Sequence, residues 1–248
     1  MNTNHFLPAT HGHVPAEPYL CTYRKTDMGT IAENLKKITG QLPAHVQLVA
    51  VSKTKPVEDI MELYHCGQRV FGESKAQEMV PKHQELPPDI QWHMIGHLQT
   101  NKVKYIAPFV SMIHSVDSLK LLKTIDKEAR KNDRIIDCLL QIHIAEEDTK
   151  FGLDLSEAEA LLQDQEFRQM KHVRIRGLMC MATFTDNTDQ IRREFRQLRQ
   201  IFDTLKAGYF SNDPHFNHRS MGMSDDFAIA IEEGSTMVRV GSSIFGHR

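Results

Sequence analysis

Apolar and polar residues follow two patterns in this chain, short apolar runs and longer segments with a single apolar stripe. The run from Val46 to Val51 is interrupted only by Gln47, which is typical of a parallel strand that is buried on both faces. Amphipathic spacing predicts a helix over residues 30–38, just before this run. A later helix is predicted from the stripe formed by Ile191, Phe195, Leu198, Phe202 and Leu205.

The strand pattern recurs to the end of the chain, with helical segments between the runs. The eight predicted strands are Val46–Val51, Arg69–Phe71, Gln91–Ile95, Ser111–Ser115, Ile135–Ile144, Val173–Met179, Phe216–Ser220 and Met237–Gly241. A capping box of Ser156 and Glu159 is predicted to open one of the helices. Eight βα units without a break in composition favour an α/β fold of the (β/α)₈ TIM-barrel type over an open, doubly wound sheet. We expect one barrel domain over residues 28–248, after an irregular extension over residues 1–27 that adds little to it.

Composition and charge narrow the class of protein. The 248 residues, 40% of them hydrophobic, suit one parallel barrel of about 250 residues. A formal net charge of −2 gives no bulk attraction to nucleic acid or to an anionic membrane, and no apolar run approaches the roughly 20 residues of a membrane span. The four cysteines form no CxxC pair, and residues 1–27 lack the charged start and apolar core of a secretory signal. We therefore expect a cytoplasmic protein, and we also expect it to be a monomer.

Lys53 follows the first predicted strand at its carboxyl end, where parallel barrels carry their functional groups. Strand alternation would place Val51, Lys53 and Lys55 on one face, and Ser52 and Thr54 on the other. A lysine that points inward near apolar walls loses solvation, and its neutral amine can then form a Schiff base with an aldehyde. The alternative is a solvated lysine that only attracts anions.

Small residues surround the eighth strand, from Gly234 to Ser243, and a second such segment runs from Ser220 to Asp226. Ser224 is predicted to cap a short helix there. Glycine allows the backbone to approach a phosphate closely, and barrels often bind phosphate in the loops after strands seven and eight. Tight turns would account for the same residues, because neither a P-loop nor a G-x-G-x-x-G pattern occurs.

Arg239 lies inside the apolar eighth strand. A buried guanidinium needs an acceptor, and a phosphate, a carboxylate or an unprotonated pyridine nitrogen would each serve; a structural salt bridge is the alternative. His93 with His97, and His215 with His218, are close enough in sequence to suggest metal ligands. No H-E-x-x-H pattern accompanies them, and we predict no metal site.

Six segments of the chain closely resemble, in the same order, the pyridoxal phosphate homeostasis proteins (the YggS-like or PROSC family). They are Leu48–Pro56, Phe71–Glu73, Gln91–Lys102, Arg176–Met179, Ser220–Asp226 and Gly234–Gly246. This resemblance implies a barrel similar to the N-terminal domain of alanine racemase, with pyridoxal 5′-phosphate as its cofactor.

The same resemblance implies a role for several residues. Lys53 would form the Schiff base, and Arg239 would face the pyridine nitrogen. The residues implied around the phosphate are Ser220, Gly241 and Ser242. The family's F-G-E-N motif ends here in Ser74, so a serine occupies the position from which the asparagine is expected to contact the cofactor.

Three functions remain open at this point. The resemblance favours a protein that buffers or delivers pyridoxal phosphate in the cell, without turnover of its own and with cofactor-requiring apo-enzymes as transient partners. The second is an amino-acid racemase or decarboxylase of the same fold, which would need a second acid or base opposite the lysine. No tyrosine-bearing motif stands out to supply that group. The third is an unrelated phosphate-binding barrel hydrolase.

Overall fold

A computed structural model describes residues 30–145 and 151–246, so the predicted extension over residues 1–27 lies outside the described part. The strands are β1 Gln47–Val51, β2 Val70–Glu73, β3 Gln91–Met94, β4 Met112–Val116, β5 Ile136–Gln141, β6 Val173–Met179, β7 His218–Ser220 and β8 Met237–Val240. The helices are α1 Ile31–Thr39, α2 Val57–His65, α3 Ala76–Glu85, α4 Thr100–Ile106, α5 Leu119–Lys131, α6 Leu155–Gln163, α7 Gln165–Gln169, α8 Thr188–Tyr209, α9 Phe227–Glu232 and α10 Ser242–Phe245.

The strands of the described residues form a closed barrel in sequence order, and each is parallel to its neighbours. Strand β8 closes the barrel on β1, with Gln47 opposite Met237 and Ala50 opposite Val240. Parallel strands need a crossover between them, and the helical segments predicted from the sequence provide it. The predicted (β/α)₈ fold is confirmed, and the strand bounds agree with prediction to within a few residues.

Alternate residues of β1 pack into two different apolar clusters. Leu48 and Ala50 belong to the large cluster between the strands and the surrounding helices, whereas Val49 belongs to a smaller one. The smaller cluster takes its residues from strands on all sides of the barrel, so it fills the interior of the barrel. Its buried members are Val49, Val70, Met112, Leu139, Met179 and Met237. Burial on both faces explains why the strands are nearly continuous apolar runs.

The start of α6 differs from prediction. Asp154 Oδ1 accepts a hydrogen bond from the Glu157 N–H (2.8 Å), and Glu157 Oε2 accepts one from the Asp154 N–H (2.9 Å). The predicted capping box of Ser156 and Glu159 is therefore wrong. Two overlapping pairs share the same spacing, and the helix begins at the earlier one, which leaves Ser156 inside the first turn. Within the described residues, no helix has the length and apolar character required to cross a bilayer.

Candidate functional site

A cavity of about 710 Å³ opens where the strands end at their carboxyl side. This volume is in the range of small-molecule sites, roughly 300–1,000 Å³. Residues at or after β1, β2, β3, β5, β6, β7 and β8 line it, so the barrel brings together segments that are far apart in sequence. They include Val51, Lys53, Lys55, Ser74, Ile95, His97, Gln141, Phe151, Met181, Phe184, Ser224, Asp225, Arg239, Gly241 and Ser242.

Lys53 lines this cavity and is exposed to solvent. It lines the cavity as a solvated side chain and is not packed against apolar walls, because β1 ends at Val51 and a turn follows. The Lys55 N–H closes that turn on the carbonyl of Ser52 (3.0 Å). The side chain of Lys55 donates to the carbonyls of Phe245 and Gly246 (3.2 Å each), whereas no hydrogen bond or ion pair is formed by Lys53 Nζ within the described residues. Of the two lysines, Lys53 is the one whose amine is available.

Arg239 forms the floor of the cavity and is only 4% exposed. Its Nη1 donates to the carbonyl and to the hydroxyl of Ser220 (2.8 and 2.7 Å), and its Nη2 donates to the carbonyl of Cys180 (2.8 Å). No carboxylate pairs directly with this guanidinium in the described part of the chain, so the salt-bridge alternative finds no support there. Burial lowers the pKa of Arg239, the cost expected for a charge held by neutral acceptors.

Ser220 lies beneath the cavity and is fully buried. Its hydroxyl contacts Arg239 on one side and lies 3.1 Å from Nδ1 of His114 on the other, and His114 Nε2 lies 2.9 Å from His93 Nδ1. Strands β4 and β7 are not neighbours, so the contact between His114 and Ser220 crosses the barrel interior. The side chain of Ser220 is thus engaged away from the opening, and its contact with a phosphate stays a prediction.

The direction of this hydrogen-bonded chain follows from its chemistry. A guanidinium can only donate, so the hydroxyl of Ser220 accepts from Arg239 and turns its own proton toward His114 Nδ1. The proton of His114 is then on Nε2, from which it donates to His93. Burial lowers the pKa of His93 to about 3, and burial together with the charge of Arg239 holds that of His114 well below its usual value. Both rings are neutral, and the line of donors runs from Arg239 through Ser220 and His114 to His93, where it ends.

Backbone N–H groups gather where β8 ends, beside the same cavity. The hydroxyl of Ser224 accepts from the N–H of Gly241 (3.2 Å) and lies 3.5 Å from the nitrogen of Ser243. An added Cβ at Gly241 would lie 3.2 Å from the Val51 side chain, so a glycine permits this close approach. The predicted capping role of Ser224 is wrong, because α9 begins only at Phe227, after an intervening turn.

The remaining predicted residues have separate surroundings. Ser74 lines the cavity, and a Cβ at Gly96 would collide with its backbone. Nδ1 of His97 lies 3.3 Å from a carboxylate oxygen of Asp117, whereas His93 is buried and contacts His114. His218 lies 3.2 Å from Arg176. Among the described residues, no group of three or more His, Cys, Asp or Glu side chains is arranged to hold a metal ion.

Comparisons with known proteins identify the family. The sequence profile described as "Alanine racemase, N-terminal domain" matches residues 26–248. A "Pyridoxal phosphate homeostasis protein" of Aquifex aeolicus (strain VF5) is 42% identical over 203 residues, which cover 82% of this chain and 87% of that protein. The chain belongs to the pyridoxal phosphate homeostasis protein family. The resemblance noted in the sequence is confirmed.

Solved structures of family members and of more distant proteins agree with this. PipY of Synechococcus elongatus PCC7942, solved with PLP bound, is 37% identical, with a TM-score of 0.80 over 88% of this chain and 100% of that one. Its form without PLP gives a TM-score of 0.82 over the same shares. Alanine racemase from E. faecalis is only 13% identical, with a TM-score of 0.64 over 88% of this chain and 58% of that one, and shows the fold alone.

Neither the position of His114 inside the barrel nor the contacts of Ser224 were identified from the sequence. Strand periodicity places His114 on the same face as Met112, which is an interior position of the barrel, and a polar residue there is a signal that it meets a partner inside. The partner itself lies across the barrel and is not identifiable from local sequence.

Proposed function

We propose that this protein binds pyridoxal 5′-phosphate covalently through Lys53 and buffers or delivers it in the cell, without substrate turnover of its own. The proposal rests on one observation, the set of groups that line a single cavity. It joins an exposed lysine without a hydrogen-bond partner in the described chain, a buried arginine held by neutral acceptors, and backbone N–H groups gathered around a hydroxyl. The bound cofactor in PipY supports the choice of ligand.

The residues of the cavity fit the chemical parts of this cofactor. When bound, the cofactor supplies an aldehyde that condenses with an amine to an imine, with release of one water molecule. Lys53 would supply the amine nitrogen for that bond. Arg239 keeps its Nε free of hydrogen bonds within the described chain and lines the cavity, so it would meet the pyridine nitrogen from below.

The phosphate would be held by Gly241, Ser242 and Ser224. The hydroxyl of Ser224 accepts from the N–H of Gly241, which is the kind of donor that a phosphate oxygen requires. Ser220 would hold Arg239 in place from beneath, and Ser74 would contact the cofactor at the rim of the cavity. A cation beside the pyridine nitrogen disfavours protonation of the ring, and an unprotonated ring is a weaker electron sink. This supports a role in holding the cofactor more than one in catalysis.

Borohydride reduction tests the covalent assignment. Full-length protein loaded with pyridoxal 5′-phosphate, reduced and mapped by peptide mass spectrometry, should carry the pyridoxyl group on Lys53. Lys55 provides the internal comparison, because its ammonium is already bound by two carbonyls. Lys53→Ala should lose the adduct and still bind the cofactor weakly through its phosphate. The assignment would be refuted by an adduct on Lys55 of the wild-type protein, or by an adduct on any other lysine of the Lys53→Ala variant.

We further propose that the protein is a monomer in the cytoplasm and meets cofactor-requiring apo-enzymes only transiently. No disulfide bond joins cysteines within the described residues, which suits a reducing compartment. Light scattering of the purified protein measures the oligomeric state, and a stable dimer would refute that part. Transfer of cofactor to an apo-enzyme faster than its spontaneous release would support delivery by direct contact.

A further inference from the structure

A buried ionic cluster lies behind Lys53, outside the cavity. Glu73, the last residue of β2, is fully buried, and its Oε1 accepts from the hydroxyl of Ser52 (2.6 Å) and from the ammonium of Lys82 (2.8 Å). Lys82 lies on α3 within the stripe that this helix buries against the barrel. A lysine in such a stripe is costly to bury unless its charge is fully bonded.

The ammonium of Lys82 makes three hydrogen bonds, one for each of its protons. It donates to the carbonyl of Ser52 (2.8 Å), to Glu73 Oε1 (2.8 Å) and to Glu78 Oε1 (2.7 Å). With all donors used, Lys82 has no free amine to offer a ligand, and its role is to connect the elements around it. Burial raises the pKa of Glu73, while the bonds from Lys82 and Ser52 act against that rise.

The cluster holds the chain on both sides of Lys53. Before the lysine, both the hydroxyl and the carbonyl of Ser52 are bound. After it, the N–H of Thr54 donates to the same Glu78 oxygen that binds Lys82. Thr54 has a φ of 65°, a left-handed conformation that a β-branched residue rarely adopts and that its surroundings must impose.

We propose that Lys82, together with Glu73 and Glu78, positions Lys53 for covalent attachment of the cofactor by fixing the backbone of Ser52 and Thr54. The lysine side chain itself has no bond within the described residues, so the location of its amine is set through the backbone that carries it. These three are positioning residues, because none of them lines the cavity. This inference rests on the proposed function.

The alternative is an ionic cluster that only stabilises the fold, and two ligands distinguish the two roles. Pyridoxal 5′-phosphate can bond covalently to Lys53, whereas pyridoxamine 5′-phosphate carries an amine in place of the aldehyde and reports the rest of the site. A positioning role predicts that variants of the cluster lose affinity for the first ligand and keep it for the second. A purely structural role predicts that both affinities fall together or that neither changes.

The full-length variants Glu78→Gln and Lys82→Met are titrated with both ligands. The amount of covalent adduct is then measured after reduction with borohydride. Glu78→Gln removes a charge from a partly exposed side chain and keeps its shape, so it carries the test if Lys82→Met does not fold. The matched control is Glu85→Gln, an exposed position on the same helix. Because misplacing a reacting group by about 1 Å can cost up to ~100-fold, we expect the preference for the aldehyde ligand to fall about tenfold or more in both variants.

The outcomes separate this inference from the proposed function. The positioning role is overturned if folded variants keep a preference for the aldehyde ligand within about twofold of wild type, or if both affinities fall equally. In either case, an adduct on Lys53 of the wild-type protein leaves the proposed function intact. A wild-type protein without any adduct on Lys53 defeats both. A selective loss that spares Glu85→Gln supports the assignment of Lys82 and Glu78.

Discussion

Replacing Ser220 by alanine tests whether its hydroxyl holds Arg239 in place or binds the phosphate of the cofactor. The hydroxyl accepts from Arg239 at 2.7 Å and donates toward His114, and all three side chains are buried. A hydrogen bond to a charged group contributes about 1.5–3 kcal/mol, and a buried acceptor left without its donor costs about 1–3 kcal/mol. Because Arg239 keeps its bonds to two carbonyls, we expect the unfolding free energy of the cofactor-free protein to fall by roughly 2–4 kcal/mol. For a chain of this size, the melting temperature should drop on the order of 4–16 °C.

Urea unfolding and calorimetry measure the loss, and Ser235→Ala is the matched control. Ser235 is equally buried, and its hydroxyl contacts backbone carbonyls but not Arg239. Competition by inorganic phosphate against pyridoxamine 5′-phosphate measures the phosphate site separately. If Ser220 acts on Arg239, stability falls and the inhibition constant of phosphate stays within about twofold. An unchanged melting temperature with weaker competition by phosphate would refute this reasoning and place the hydroxyl on the phosphate.

Three further outcomes are expected. Gly241→Val should raise the Kd of the cofactor at least about tenfold in a folded protein, since even a Cβ there would press on Val51, and unchanged affinity would place the phosphate elsewhere. Lowering the pH from 7 to 5 should destabilise the cofactor-free protein, because burial lowers the pKa of His93 to about 3 in the folded state, whereas an unfolded histidine has a pKa of about 6.5; the loss for His93 is about 2 kcal/mol at pH 5, and the lowered pKa of His114 acts in the same direction. Urea unfolding across this range measures it, and His93→Gln should flatten the dependence. A chain that starts at Met28 should bind the cofactor and melt as the full chain does; a large fall in melting temperature would contradict the expectation for residues 1–27.

The fold could be predicted from the sequence because its signal is local and repeated. Each strand is an apolar run whose two faces are both covered, and each such run is followed by a segment with helical spacing. Eight repetitions of that unit leave few alternatives to a barrel. Helix starts were less well determined, as α6 shows, since Asp154 and Ser156 both have an acidic residue three positions later.

The sequence identified those residues of the cavity that lie at or near the carboxyl end of a predicted strand. Lys53, Arg239 and Gly241 were identified in sequence, and the barrel brings them to one opening. The exposure of Lys53 was not predictable, because alternation within a strand does not continue into the turn that follows it. The partners of Arg239 were not predictable either, since they depend on how far β6 and β7 are staggered against β8.

The arrangement around the two key residues argues for a site that keeps its cofactor exchangeable. Arg239 is fixed from below by neutral acceptors, so its charge is preserved and remains directed at the cavity. Lys53, in contrast, stands at the opening, where water and incoming amines reach its nitrogen. Condensation of an amine with an aldehyde is reversible, and release requires water to attack the same bond. A rigid floor with a solvent-accessible covalent link therefore suits a protein that binds the cofactor, protects it and gives it up again.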